Sequence, residues 1–190
     1  MLPKMVCSVG IIQKIFFRLG PLGFLYQANE MVPGNVGLRD QAMALKWVNA
    51  NIEYFGGNPD SVTLFGESAG SLSVALQLLS PLSNGLFQRA IMQSGEALNH
   101  VWSPISQKQA LQFGNLLAKE LNCDLEDIHK KLKCMQEKSV EDILGKYTDD
   151  EKALRYTFKH YHYVIDQGLV FSISSPRKSF GWSSSLDASS

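Results

Sequence analysis

Val62-Thr63-Leu64-Phe65-Gly66-Glu67-Ser68-Ala69-Gly70 is the stretch on which the fold turns. A run of β-formers ends at Gly66, and a helical pattern begins directly after Ser68. Between them Gly66, Glu67, Ser68, Ala69 and Gly70 make a Gly-x-Ser-x-Gly spacing, the pattern of a nucleophile elbow. The chain must pass from strand to helix within a few residues, which forces the serine into a strained backbone conformation. Glycines on either side leave room for the turn and for close strand–helix packing. The serine Oγ then stands at the tip of the turn, at a helix N-terminus. There the dipole and free N–H groups favour developing negative charge. The Ala69 N–H is placed to be one oxyanion donor.

Working outward, residues 62–66 have the length and composition of a buried strand. Leu72, Ala75, Leu76 and Leu79 recur at helical spacing over residues 69–80, and Pro81 stops that helix. The plain alternative is a glycine-rich turn holding an inert serine, but strand, turn and helix agree on the elbow. A further helix is predicted over 38–54, with Leu38, Ala42, Leu45, Val48 and Ile52 on one face and Gly56 at its end. Its polar residues Arg39, Asp40 and Gln41 read as structural hydrogen-bonding groups. Residues 21–36, broken by Pro21, Gly23, Pro33 and Gly34, read as loop, and residues 90–93 as strand. Three helices follow. One spans 106–121, with a capping box between Ser106 and Gln109. The next spans 124–135, with Asp124 as N-cap and Asp127 in its first turn. A short one begins at Ser139, capped toward Asp142.

The residues around the elbow carry a family resemblance. Phe55 to Gly70 resembles the active-site signature of the carboxylesterase/cholinesterase family, the type B carboxylesterases. Arg18-Leu19-Gly20-Pro21-Leu22-Gly23-Phe24-Leu25 is similar to a family segment, with Phe17 where the family has tyrosine. Gly34-Asn35-Val36-Gly37-Leu38-Arg39-Asp40-Gln41 is similar to another, and Arg89 to Gly95 to the strand after the elbow helix. The style is closest to invertebrate carboxylesterases. The resemblance implies an α/β class: a partial α/β-hydrolase fold, with parallel strands around the elbow and helices on both faces. It divides the chain into a divergent N-terminal segment, 1–16, a partial catalytic-type domain, 17–180, and a serine-rich tail, 181–190, expected to be disordered.

Composition fits a globular chain and excludes several classes. Of 190 residues, 45% are hydrophobic and 19% charged, which is enough apolar material for a core. Lys+Arg and Asp+Glu are both 18, so no basic excess argues for nucleic acid. No apolar run approaches a transmembrane length. Lys4, Gln13 and Lys14 interrupt any signal-peptide core at the start. No cofactor or metal site is expected.

The cysteines are Cys7, Cys123 and Cys134. The resemblance implies a Cys123–Cys134 disulfide, which with the family favours secretion or the ER lumen. The residues alone leave two buried thiols open as well, because the pair needs the chain to bend back. Cys7 has no visible partner.

The resemblance implies hydrolysis of a small carboxylic ester through an acyl-enzyme. Ser68 is the implied nucleophile and the Ala69 N–H one oxyanion donor, with Gly66, Glu67 and Gly70 shaping the elbow. Glu67 is expected to be a buried site carboxylate and not the triad acid. Trp102 resembles a tryptophan near the family's acyl pocket, though a core aromatic reads equally well. A serine hydroxyl needs an adjacent base and a third group to orient that base. The family's glycine-rich oxyanion loop has no counterpart in residues 1–17, and its acid and histidine fall beyond residue 190, so the chain reads as a fragment that is inactive alone. Of the histidines, His129 reads as a surface residue, and His100, His160 and His162 have no base signature. The competing function class is a truncated, non-catalytic binding or adhesion-type module, against which the presence of Ser68 counts.

Overall fold

A computed structural model describes residues 5–8, 12–95 and 105–148. In chain order its elements begin with strands β1 (Met5–Ser8) and β2 (Ile12–Ile15), a short helix α1 (Gly20–Phe24), and strands β3 (Tyr26–Asn29) and β4 (Val32–Pro33). Helix α2 (Val36–Asn51), strand β5 (Thr63–Glu67), helix α3 (Ala69–Leu79) and strand β6 (Arg89–Gln93) follow. Helices α4 (Gln107–Glu120), α5 (Ile128–Gln136) and α6 (Val140–Thr148) complete it.

The main sheet runs β2-β1-β5-β6. β5 and β6 are parallel, with Leu64 opposite Ala90 and Phe65 opposite Ile91, and α3 forms the crossover between them. β1 and β2 add an antiparallel hairpin on the other side of β5, with Cys7 opposite Leu64. The chain is therefore of the α/β class expected, with its parallel pair centred on the elbow.

Alternation along the strands sets the layers. Leu64 packs with Ile15, Leu45 of α2 and Val74 of α3, and Ala90 lies against this cluster. The opposite face carries Phe65 and Ile91, and Ile91 is 51% exposed. Helices on both faces were expected; among the described residues the helical cover is established on one.

Helix α2 follows its periodicity. Leu38, Ala42, Leu45, Val48 and Ile52 are all buried, a single 3-10 turn follows, and Gly56 closes it at φ 79°. Helix α3 departs at one position: Leu72, Ala75 and Leu76 are buried, but Leu79 is 46% exposed. Phe24 and Leu38 cover the first three, and that cover does not reach the last turn. Between α2 and α3 lies a buried polar seam. Gln77 Nε2 donates to Leu38 O (2.9 Å) and Gln41 Oε1 (3.0 Å), Gln41 Nε2 donates to Ser73 Oγ (3.2 Å), and Ser83 Oγ bonds Gln77 Oε1. Asp40 accepts from Arg18 through N, Nε and Nη2, at 3.1, 2.9 and 2.6 Å. Asp40 and Gln41 thus have the structural role read from the sequence.

Residues 21–36 are more ordered than a loop reading allows. Pro21 sits in the first turn of α1, where a missing N–H costs nothing. Asn29 Oδ1 accepts from Met31 N (2.9 Å), closing the turn that pairs β3 with β4. Gly114 lets α4 lie on β3, since a Cβ there would stand 2.4 Å from Tyr26 O.

At the C-terminal helices the capping box is present at Ser106 and Gln109. The α5 N-cap is Asp127, not Asp124: Asp127 Oδ1 accepts from His129 N (2.8 Å) and Lys130 N (3.0 Å). The helix starts later than the reading allowed because residues 122–127 make the bend that brings the cysteines together. Asn122 at φ 55° turns the chain out of α4, and Cys123 and Cys134 form a disulfide with Cα atoms 5.6 Å apart. Asp142 N donates to Ser139 Oγ (3.0 Å), as the short third helix requires. No helix among the described residues is long and apolar enough to cross a membrane. The tail, 181–190, lies outside the described residues.

Candidate active site

The sheet and α3 converge on Ser68. β5 brings Gly66 and Glu67 to the end of the strand, and α3 begins at Ala69. Ser68 between them has φ 55° and ψ −118°, a backbone conformation that L-residues avoid. Such strain persists only where the surroundings over-determine it. Here the Ser68 N–H donates to Gln93 O on β6 (2.9 Å), and Ser68 O accepts from Leu72 N (3.1 Å). Gly66 and Gly70 meet face to face: a Cβ at Gly66 would stand 2.4 Å from the Gly70 carbonyl. A third glycine, Gly95, supports the turn from below, where a Cβ would stand 2.7 Å from Ser68 O.

The consequences are chemical. Glu67, Ser68 and Ala69 are exposed, while Gly66 and Gly70 are buried. The Ser68 side chain makes no capping bond to the helix it precedes, so its Oγ is not committed there. The first N–H groups of α3, Ala69 among them, have no intrahelical acceptor, because the helical ladder starts with Leu72 to Ser68. This is an exposed hydroxyl beside free amide donors at the positive end of a helix dipole.

Glu67 corrects the sequence reading. It was expected to be buried and it is exposed. It is the last residue of β5, opposite Gln93 on β6, whereas the β1 pairing ends at Met5 opposite Gly66. Among the described residues the sheet therefore flanks it on one side only. Trp102, His100, His160 and His162 lie outside the described residues. His129 is exposed on α5, as a surface residue should be. No group of three or more His, Cys, Asp or Glu side chains suited to a metal ion is present among the described residues.

Three residues at the site were not singled out from sequence. Ser71 is fully buried, and its Oγ donates to Gly95 O. Ser94 has φ 56°, a second strained residue just past β6. Gly95 is the support already described. The available signal was the Gln93-Ser94-Gly95 run at the end of a short strand, next to an elbow that needs a neighbour.

Comparison with known proteins agrees with this geometry. The sequence model of the carboxylesterase family matches residues 8–182. The chain is 43% identical over 166 residues to an acetylcholinesterase of Myxine glutinosa, covering 84% of this chain and 49% of that protein. It is 47% identical over 136 residues to cholinesterase 1 of Branchiostoma lanceolatum, covering 70% and 38%. It is 44% identical over 151 residues to a bile salt-activated lipase of Mus musculus, covering 80% and 25%. The chain thus spans between a quarter and a half of the length of these relatives.

Proposed function

This chain belongs to the carboxylesterase family, and from that membership we propose that it carries the nucleophile portion of a serine carboxylic-ester hydrolase. The supporting observation is Ser68 itself, exposed and strained between β5 and α3 at the N-terminus of a helix. Ser68 Oγ attacks the ester carbonyl carbon, and its proton passes to a base. The Ala69 N–H donates to the oxyanion as the carbonyl π bond opens. Collapse expels the alcohol, whose oxygen takes the proton back from the base, and leaves an acyl group on Ser68. Water repeats the sequence and releases the acid. The substrate class is a small carboxylic ester.

On this reading the base, its orienting acid and the remaining oxyanion donors come from sequence other than residues 1–190. The Cys123–Cys134 disulfide supports folding in an oxidising compartment such as the ER lumen or outside the cell. A non-catalytic binding module gains no support from any feature of the site.

Residues that act as a unit in such a centre lose most of the rate when one is removed. Each missing oxyanion donor costs a further ~3 kcal/mol. Residues 1–190 expressed alone should therefore show negligible ester turnover and slow labelling by an organophosphate-type probe. Mass mapping should find the slow adduct on Ser68 and none in Ser68→Ala. An adduct confined to another residue would contradict Ser68 as nucleophile. Rapid Ser68-dependent turnover would place a base within residues 1–190.

A further inference from the structure

We infer that Ser71 is a positioning residue of the centre proposed above, its hydroxyl latching the exit of β6 to the first turn of α3 and so holding the Ser68 turn in place. The inference rests on the reading of Ser68 as a nucleophile. A serine inside a helix commonly returns its hydroxyl to the carbonyl four residues back, as Ser73 does to Ala69 O (2.9 Å). Ser71 does otherwise. It is fully buried, and its hydroxyl leaves the helix to bond Gly95 O.

That bond closes a ring. At one end Ser68 N–H donates to Gln93 O, and at the other Ser71 Oγ donates to Gly95 O. Ser94, between the two acceptors, is held at φ 56°, and Ser68, at the head of the helix, at φ 55°. Two strained residues thus face a ring that, among the described residues, one side-chain bond closes, the Ser71 latch. The fit leaves no slack: a Cβ on Gly95 would stand 2.7 Å from Ser68 O and 3.2 Å from Ser71 Cβ. Without the hydroxyl, the half-buried Gly95 carbonyl loses that donor and the exit is free to turn about Ser94. The Ser68 side chain then leaves its place over the free N–H groups of α3.

A thiol at position 68 reports this placement without needing turnover. In Ser68→Cys, site-resolved alkylation against pH gives the pKa of the new thiol separately from Cys7. A thiol held at a helix N-terminus titrates below the ordinary value of about 8.5. With Ser71 present, depression below about 7.5 is expected. Adding Ser71→Ala should raise the value by roughly one unit, the scale of a lost helix-terminus interaction. Ser71→Thr, which keeps the donor, should restore it. Ser83→Ala removes a comparably buried serine hydroxyl, bonded to Gln77 and not to the first turn of α3, and should leave the pKa unchanged. If Ser71→Ala does not fold, Ser71→Cys, similar in size and a weaker donor, should raise the pKa likewise. An ordinary thiol pKa even with Ser71 intact would overturn the elbow reading and the inference with it. A depressed pKa that neither Ser71→Ala nor Ser71→Cys moves, in folded protein, would overturn the role of Ser71 alone.

Discussion

Ser68 concentrates the sequence information of this chain. Its type, its flanking glycines and its place between strand and helix were all readable, because the turn admits few residues. What holds it was less readable. Ser71 looks like any polar residue until β6 is set beside α3, since its role depends on a contact 24 residues away in sequence. Glu67 failed as a buried carboxylate for the same reason: its burial is set by neighbouring strands, not by the motif. Two other residues carry direct tests. Gln27 is 3% exposed, and neither atom of its amide has a hydrogen-bond partner. An orphaned buried polar group costs about 1–3 kcal/mol. Gln27→Met, similar in volume and apolar, should therefore raise the denaturant midpoint; a lower midpoint would show that the amide is paired. Asp40 has its carboxyl pKa lowered chiefly by the Arg18 side-chain hydrogen bond, with burial opposing. A carboxylate depressed in the folded state stabilises above its unfolded pKa and loses that contribution as pH falls through the folded value. Arg18 is largely exposed, so solvent holds the pair to at most about 1 kcal/mol. Unfolding measured from neutral pH downward should show Asp40→Asn less stable than the parent at neutral pH, with the gap narrowing only once pH falls below the ordinary carboxylate range.

At the scale of elements, local signals worked where an element is made by its own residues. The α2 stripe, the Ser106–Gln109 box and the Ser139 cap toward Asp142 are within-element features, and all are present. They failed where pairing across the chain decides. The β1–β2 hairpin, the β3–β4 pair and the shift of the α5 cap to Asp127 are each set by distant partners or by the disulfide. The disulfide came from family resemblance and not from spacing, because nothing local forces residues 122–127 to bend. Its contribution is measurable. Closing a loop of this length stabilises by roughly 3 kcal/mol, by restricting the unfolded chain. Cys123 is also fully buried, against Leu117, Leu121 and Met135. Reduction should lower the melting temperature of residues 1–190 and raise amide exchange first in α4 and α5. An unchanged melting temperature on reduction would show that the bridge adds nothing to stability.

At the scale of the whole molecule, strand β6 is left open among the described residues on its outer edge and, at Ile91 and Met92, on both faces. Ile91 and Met92 of β6 are 51% and 45% exposed, and among the described residues β6 pairs with β5 alone. On the outer side of α2, Trp47 is 50% exposed with Phe55 beside it at 5.8 Å, and Tyr54 is 86% exposed. An open strand edge and large exposed apolar groups fit a chain that spans a quarter to a half of its relatives' length. The central claim, that Ser68 is a competent ester nucleophile lacking only its partners, is tested most directly by supplying them. Residues 17–95 replace the matching stretch of the Myxine glutinosa acetylcholinesterase, and turnover of a simple aryl ester is measured with and without Ser68→Ala. The expected result is hydrolysis by the graft, lost on Ser68→Ala along with organophosphate labelling at that position. A folded graft with no Ser68-dependent hydrolysis and no Ser68 adduct would contradict the claim.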